Sequence, residues 1–417
     1  MDAEILTPTV STAYPNNSGD ELMKKFLATL LSILLVITLL VACGGKDGGD
    51  TGTTDKPADG GDTTVDTNKE YDGNMLLFVS GNLGDLGFSD LSHIAAVQFA
   101  EENNLELTVV EGGKDNSTYV TSFLGAIETG NYDYSVSSSW YTFDDLLANA
   151  SKFPDTKFVV FDTARNADEK MEGLDNLIGI SYKQNEGSFL CGIYSCLMTK
   201  KNFVACIGNS DSPILNDFIA GYVHSIKWYN DENGTDIKYR VTYNAQGATV
   251  QDTYELSDVL FNAGVDILYN IAGGRTLGAC KSAEDKGGID AGYYVLGVDS
   301  DQWQVFTDTK DVSAVGKDNI ATSMLKNVTE TVLWGLNGFK NGDVPPGNHL
   351  SGIKLGGVGL AKNQRYLEVT PKEVQDEIDR IEKLIADGDL KVYSYFEEFE
   401  ADNTKWAAYR DDPDARL

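Results

Sequence analysis

The sequence is poor in the residues that do most enzymatic work. It has three histidines in 417 residues, His93, His224 and His349, scattered along the chain. The absence of a His-Glu-x-x-His helix argues against the common zinc-peptidase site, and the absence of a Gly-x-Ser-x-Gly turn against the nucleophile elbow of hydrolases. No Cys-x-x-Cys or Cys/His cluster offers metal-ligand spacing. Val315-Gly-Lys-Asp lacks both the upstream glycine and the Ser/Thr of a phosphate-binding loop, and Gly357-Val-Gly359 lacks the third glycine of a dinucleotide fingerprint. Positive charge is scarce too, with 33 Lys and Arg against 64 Asp and Glu and a formal net charge of -31. Such a surface repels phosphate backbones, so no nucleic-acid partner is expected.

Cysteine is also sparse, at five residues. Cys191, Cys196, Cys206 and Cys280 fall in apolar segments and read as small core residues; Cys191 and Cys196 would lie on different faces of one helix and cannot pair locally, while a distant pairing stays open. Cys43 is different. It ends the stretch MKKFLATLLSILLVITLLVACGG that begins at Met23, with Lys24 and Lys25 as a basic start, Phe26 to Leu39 as an apolar run, and Leu40-Val-Ala-Cys43 as a small-residue cleavage site. A plain transmembrane anchor is the competing reading, but the run is short for that role and does not account for Cys-Gly-Gly. Residues 1–43 are therefore expected to be a signal peptide with a bacterial lipobox, its true start at Met23 and its lipidation site at Cys43. Residues 44–73 are Gly-, Asp- and Thr-rich with almost nothing to bury, and read as a flexible acidic linker with an r.m.s. span of roughly 30 Å.

With 41% hydrophobic and 10% aromatic residues, the remainder can build a large core. Short β-rich runs alternate with helical stretches. Leu76 to Val79, Leu105 to Val110, Tyr134 to Val136, Lys157 to Phe161 and Leu177 to Ile180 predict five strands, with helices beginning near Ser89, Thr118, Thr142 and Glu169. After a helix from Glu186 to Thr199, a second set follows at Phe203 to Ile207, Tyr239 to Tyr243, Ile267 to Asn270, Tyr294 to Val298 and Val312 to Val315. A long helix is predicted from Asp318 to Leu336, strands or a hairpin in Ser351 to Leu360, and a charged helix from Lys372 to Ala386. The expected class is α/β: two doubly wound parallel-sheet lobes, 74–182 and 183–316, with 317–417 returning across the hinge.

Ligands of such sheets bind beyond the carboxyl ends of the strands. There the chain places Ser80-Gly-Asn after the first strand with Phe88 further on, Ser137-Ser-Ser after the third, Asp162-Thr163 after the fourth, Ala272-Gly273-Gly-Arg-Thr in the far lobe, Asp299-Ser-Asp-Gln, and Gly316-Lys317. Taken singly, most of these are ordinary turn and cap residues. Together they offer carboxylates, hydroxyls, backbone N–H groups, an ammonium and an aromatic face to a small polar ligand.

Gly84-Asp-Leu-Gly-Phe88-Ser-Asp90, Phe153-Pro-Asp155-Thr-Lys-Phe158, Gly179-Ile-Ser-Tyr-Lys-Gln-Asn-Glu186-Gly187, Ala272-Gly-Gly274, Gly297-Val-Asp299-Ser-Asp301-Gln302 and Val315-Gly-Lys317 carry a resemblance. From about Met75 to Leu336 the chain resembles the basic membrane protein family of substrate-binding lipoproteins, which includes purine nucleoside receptors of ABC importers. The resemblance implies a type I periplasmic-binding-protein fold and a nucleoside in the hinge cleft, delivered to an ABC permease. It implies that Phe88 stacks on the base, Asp162 reads its edge, Asp299 and Lys317 hold the ribose, and Gly273 lets backbone approach; Ser80 and Ser137 complete the expected ligand set. No catalytic residue, metal or cofactor is expected, and the location is extracytoplasmic, on the outer face of the cytoplasmic membrane. Two departures stand out. Val79 and Ser80 occupy the place of an acidic residue of nucleoside-binding relatives, and Ala245-Gln-Gly247-Ala248 stands where a second aromatic is expected, so that half of the aromatic clamp is either absent or supplied by Tyr243. The rival readings are a sensor or adhesin lipoprotein that uses the same fold to engage a receptor protein, and a nucleoside hydrolase using Asp162 and Asp299.

Overall fold

The computed structural model describes residues 70–139, 141–163, 167–309 and 315–411. The predicted leader, the Cys43 lipobox and nearly all of the linker lie outside these. Among the described residues no helix is long and apolar enough to cross a membrane.

Twelve strands and fourteen α-helices make up this part. The near lobe starts with β1 (Gly73–Val79), α1 (Phe88–Glu102), β2 (Leu105–Glu111), α2 (Tyr119–Gly130), β3 (Tyr134–Ser138), α3 (Phe143–Asn149), β4 (Lys157–Phe161), α4 (Ala167–Met171) and β5 (Leu177–Tyr182). The far lobe follows as α5 (Gln184–Met198), β6 (Phe203–Gly208), α6 (Pro213–Asn233), β7 (Lys238–Tyr243), α7 (Val250–Asn262), β8 (Ile267–Ile271), α8 (Thr276–Asp285), β9 (Tyr294–Asp299), α9 (Gln302–Asp308) and β10 (Ile320–Lys326). Then come α10 (Val328–Asn341), β11 (Gly347–Ser351), β12 (Val358–Leu360), α11 (Gln364–Val369), α12 (Lys372–Asp387), α13 (Tyr395–Glu398) and α14 (Asn403–Arg410).

The two sheets repeat one topology. Their strand orders are β11-β5-β4-β3-β1-β2 and β12-β10-β9-β8-β6-β7, so β1 corresponds to β6, β4 to β9 and β5 to β10. Every pairing is parallel except that of β12 with β10. Central parallel strands are covered on both faces, which is why Met75 to Val79 is apolar without alternation and wholly buried. In each sheet the order reverses beside the first strand of its lobe, and the loops there diverge to leave a crevice at the strand ends.

The chain passes between the lobes three times: from β5 into α5, from β10 into α10, and from β11 to β12. These crossings are bonded to each other. Lys183 N donates to Ser351 O at 2.9 Å and Glu186 accepts from Ile353 N at 2.9 Å, while Asn327 N donates to Gly357 O at 2.9 Å. Tyr182 and Thr331 share a buried hydroxyl hydrogen bond of 2.6 Å. Helix α5 is buried along nearly its whole length, and α12 lays the stripe Val374, Ile378, Ile381 and Ile385 into the same core.

The structure differs from the sequence expectation in several segments. Ile320–Lys326 is a buried parallel strand, not the start of a helix, and the helix begins at Val328. Of the predicted strand Val312 to Val315, the first three residues lie outside the described residues, and Val315 sits in a turn. Thr118 and Thr142 stand at helix starts without side-chain caps, and the first turn of α1 is bonded by Asp85, whose carboxylate accepts from Ser89 N. The glycine-rich run from Ser351 to Leu360 is no hairpin, because β11 and β12 join different sheets.

Candidate functional site

The loop from Ser80 to Gly87 is held open by carboxylates that satisfy its backbone. Glu111 accepts from Asn82 Nδ2 at 3.1 Å and from Leu83 N at 2.8 Å, and Asp90 accepts from Gly84 N and Leu86 N, both at 2.8 Å. Asp85 accepts from Ser89 N at 2.8 Å, Gly87 N at 3.1 Å and Asp90 N at 3.2 Å, which meets N–H groups that α1 leaves unpaired. Burial raises the Asp85 carboxyl above its ordinary range, with Asp90 adding to the effect and the backbone donors opposing it. The turn carries Gly84 at φ 89° and Leu86 at φ 54°, the left-handed region that a leucine rarely adopts. That conformation sends Leu86 across the cleft. It packs against the far-lobe apolar cluster, and its carbonyl accepts from Ser300 Oγ at 3.2 Å. Leu86→Ala is therefore expected to shift the empty protein toward an open form by about 1–2 kcal/mol, the burial lost by a half-buried leucine. Small-angle scattering should register a larger radius of gyration; a curve superimposable on that of the parent would show that Leu86 holds nothing closed.

At the floor of the cleft, Asp162 follows β4 and Lys326 ends β10. Their ion pair measures 2.5 Å and both side chains are under 4% exposed. The Lys326 ammonium also lies 5.6 Å from the ring of Phe88 and 5.0 Å from those of Tyr182 and Phe218. Three quadrupole faces and one carboxylate thus replace the water that a buried ammonium loses. Phe88 in turn rests on Phe161 with centroids 4.9 Å apart. Beneath Phe88, Ser138 Oγ bonds Ser80 Oγ at 3.0 Å, in a small hollow shared with Ser89 and Ser92.

The far lobe mirrors this arrangement. Asp299 ends β9, the counterpart of β4, and Asp162 and Asp299 share left-handed backbone at φ 63° and 65°. Strained positions of this kind gather where a site needs them, and Asp tolerates the region better than most residues. Asp299 is enclosed by protein while facing the cavity. Burial pushes its carboxyl up to about 6, Lys326 pulls it back, and Asp162 and Asp85 push further in the same direction as burial. After β8, Gly273 turns at φ 54°, and its carbonyl accepts from Gln302 Nε2 at 2.8 Å and Thr276 Oγ1 at 2.8 Å. Gly274 lies under the backbone of the near-lobe loop, where a Cβ would stand 3.2 Å from Asp85 O.

Between the lobes these loops enclose a cavity of about 540 Å³. That volume suits a small organic molecule. Of the expected ligand set, Ser80, Phe88, Asp162, Gly273 and Asp299 line it. Ser137 and Lys317 do not. Ser137 is one residue out of phase: strand alternation sends it into the sheet, and its neighbour Ser138 reaches the hollow under Phe88. Lys317 sits on a surface turn, 2.7 Å from Asp318 and over the Trp303 ring, and Lys326 occupies the position expected of it. Tyr243 is not the second aromatic either; its hydroxyl bonds Asn216 at 2.6 Å and its ring faces Arg410. Phe218, from α6, lines the cavity instead. Asn209, one residue after β6 as Ser80 is after β1, and Arg275 also line the wall. Only the topology reveals Phe218 and Asn209. Lys326 does leave a trace, as a lysine closing the uncharged run Ile320 to Leu325 just before a helix start.

The profile of the family described as "ABC transporter substrate-binding protein PnrA-like" matches residues 73–394. The ABC transporter nucleoside-binding protein BmpA of Lactococcus lactis subsp. cremoris is 26% identical over 390 residues, 89% of this chain and 100% of that protein. Basic membrane protein A of Borreliella burgdorferi is 25% identical over 332 residues, covering 78% and 89%. Among solved structures, an ABC transporter solute-binding protein from Aeropyrum pernix superimposes with a TM-score of 0.67 at 19% identity, over 81% of this chain and 98% of that one, a likeness of fold. With two parallel sheets, three crossings and a cleft at the strand ends, this chain has the type I periplasmic-binding fold and belongs to the PnrA-like family of ABC transporter substrate-binding proteins.

Proposed function

We propose that this protein is a lipid-anchored, extracytoplasmic receptor that closes its two lobes on a nucleoside and presents it to an ABC permease. The observation that carries the reading is the pairing inside one cavity of an aromatic face, Phe88, with the Asp299 carboxylate opposite it on the far lobe. An aromatic ring suits a planar base, and a carboxylate that accepts two hydrogen bonds suits the vicinal hydroxyls of a ribose. Asp162 and Lys326 together offer an acceptor and a donor at the floor, where the edge of a base would end. The printed name of the Lactococcus relative supports the ligand class. The Cys43 lipobox supports the anchor.

Closure needs no catalysis. Ligand that contacts both lobes binds the closed form better than the open one, and that difference is what a permease can read. The test is to release the bound small molecules from protein purified without denaturation and identify them by mass spectrometry, alongside equilibrium dialysis with a panel of nucleosides. A nucleoside retained at stoichiometric level is expected; a sugar or amino acid in its place would remove the ligand assignment and leave the family assignment standing.

Phe88→Ala is expected to weaken nucleoside binding by about 1–3 kcal/mol through lost stacking. Because the ring also rests on Phe161 and Lys326, the empty protein should lose about 1 kcal/mol as well. Calorimetric titration and denaturant unfolding of the same variant separate the two effects, and unchanged affinity would take Phe88 out of the site.

A further inference from the structure

The cavity contains two cations with unlike surroundings. Lys326 is neutralised by Asp162 and walled by rings. Arg275, which follows Gly273-Gly274 and precedes α8, also lines the cavity and is half-buried, yet among the described residues it has neither an ion pair nor a hydrogen bond from its side chain. Burial is the one influence on its ionisation, and it acts against the charge. None of the carboxylates that line the cavity pairs with Arg275. Asp85 accepts from three backbone N–H groups at the start of α1, Asp162 holds Lys326, and Asp299 faces the cavity under the influence of Lys326 and not of Arg275.

A guanidinium presents five N–H donors in a planar fork that matches phosphate or carboxylate oxygens two at a time. To hold one partly desolvated at the wall of a binding cavity, with no acceptor from the chain, costs stability unless something else supplies the acceptor. The protein as a whole is strongly negative, but in physiological salt that field decays over about 8 Å. An uncommitted cation inside the cavity therefore decides how an anionic group fares there. We infer that Arg275 receives an anionic substituent of the ligand, so that the cavity takes a nucleoside phosphomonoester more tightly than the uncharged nucleoside. This rests on the nucleoside reading above and narrows it.

The experiment is calorimetric titration of the full chain with adenosine, guanosine and their 5′-monophosphates, for the parent protein, Arg275→Gln and Arg275→Lys, at low and high salt. The parent is expected to bind a monophosphate at least tenfold, roughly one charge-assisted bidentate contact, more tightly than its own nucleoside. Arg275→Gln should collapse that ratio to about one, Arg275→Lys should restore part of it, and added salt should erode it in the parent but not in the glutamine variant. A parent that binds nucleosides but favours no monophosphate overturns this inference alone. So does an Arg275→Gln variant that loses both ligands equally, since the ratio, not the affinity, reports on the charge. Binding of neither class overturns this inference and the nucleoside reading together.

Discussion

Lys326→Met should lower the stability of the empty protein by about 3–5 kcal/mol, the range seen when one partner of a buried ion pair is removed. The reason is what remains. Asp162 would keep a carboxylate that is almost wholly enclosed, on left-handed backbone that gives it little freedom to turn toward water, and it would have lost its ion pair with Lys326. Adding Asp162→Asn to Lys326→Met removes the buried charge whose counter-ion is gone, so the double variant should recover part of the loss, which a cost owed to packing alone would not allow. Urea unfolding of the parent, both single variants and the double variant measures the coupling. A single variant within 1 kcal/mol of the parent would mean that the pair is solvated and is not the floor of a dry cleft. Both single variants should also lose ligand binding, because the pair sits at the lobe crossing.

Asp299→Asn should move stability and affinity in opposite directions. A carboxyl whose folded pKa is about 6 binds its proton more tightly when folded than when unfolded, so its burial weighs against the fold above pH 6 and ceases to do so as the pH falls from 6 toward 4. An uncharged amide escapes that burden at neutral pH, and the variant should be more stable than the parent by up to about 3 kcal/mol at pH 7, with the gain vanishing near pH 4. Its affinity should fall by about 2–3 kcal/mol, since hydrogen bonds to a charged acceptor are the stronger kind. The parent should show the same chemistry through pH: affinity drops as Asp299 is protonated below about pH 6, and the asparagine variant shows no such step. Thermal unfolding and calorimetric titration across pH 4–8 decide the matter. A variant that is both less stable and unaltered in affinity would make Asp299 a structural residue.

Much of the architecture is legible in the sequence because the two lobes obey one simple rule. A strand covered on both faces must be a short continuous apolar run, and runs such as Leu76 to Val79 and Lys157 to Phe161 end abruptly at serine or aspartate. Those ends form the cavity wall, so the position of Ser80, Phe88, Asp162, Gly273 and Asp299 along it follows from where the apolar runs stop. The failures have physical causes. Ile320–Lys326 is made of Ala, Met, Leu and Lys as much as of β-branched residues, and local helix preference is overruled by its place between β9 and β12. Reading that strand as a helix hides Lys326 and leaves Lys317 as the nearest lysine to a strand end. Ser137 is displaced by the alternation of a strand, where one step changes the face. Phe218 lies in the second turn of α6 and carries no local mark at all; it meets the cavity because the N-terminal end of α6, with Ile214 and Leu215, forms part of the wall.

Closure of the cavity on a nucleoside can be read from calorimetric titration of the parent with purine and pyrimidine nucleosides, with D-sugars and amino acids as the comparison ligands. One-to-one binding of at least one nucleoside is expected in the micromolar range or below, with a negative heat-capacity change from burial of the base and lobe surfaces. Heats indistinguishable from dilution for every nucleoside, with a clear isotherm for a sugar or an amino acid, would contradict it.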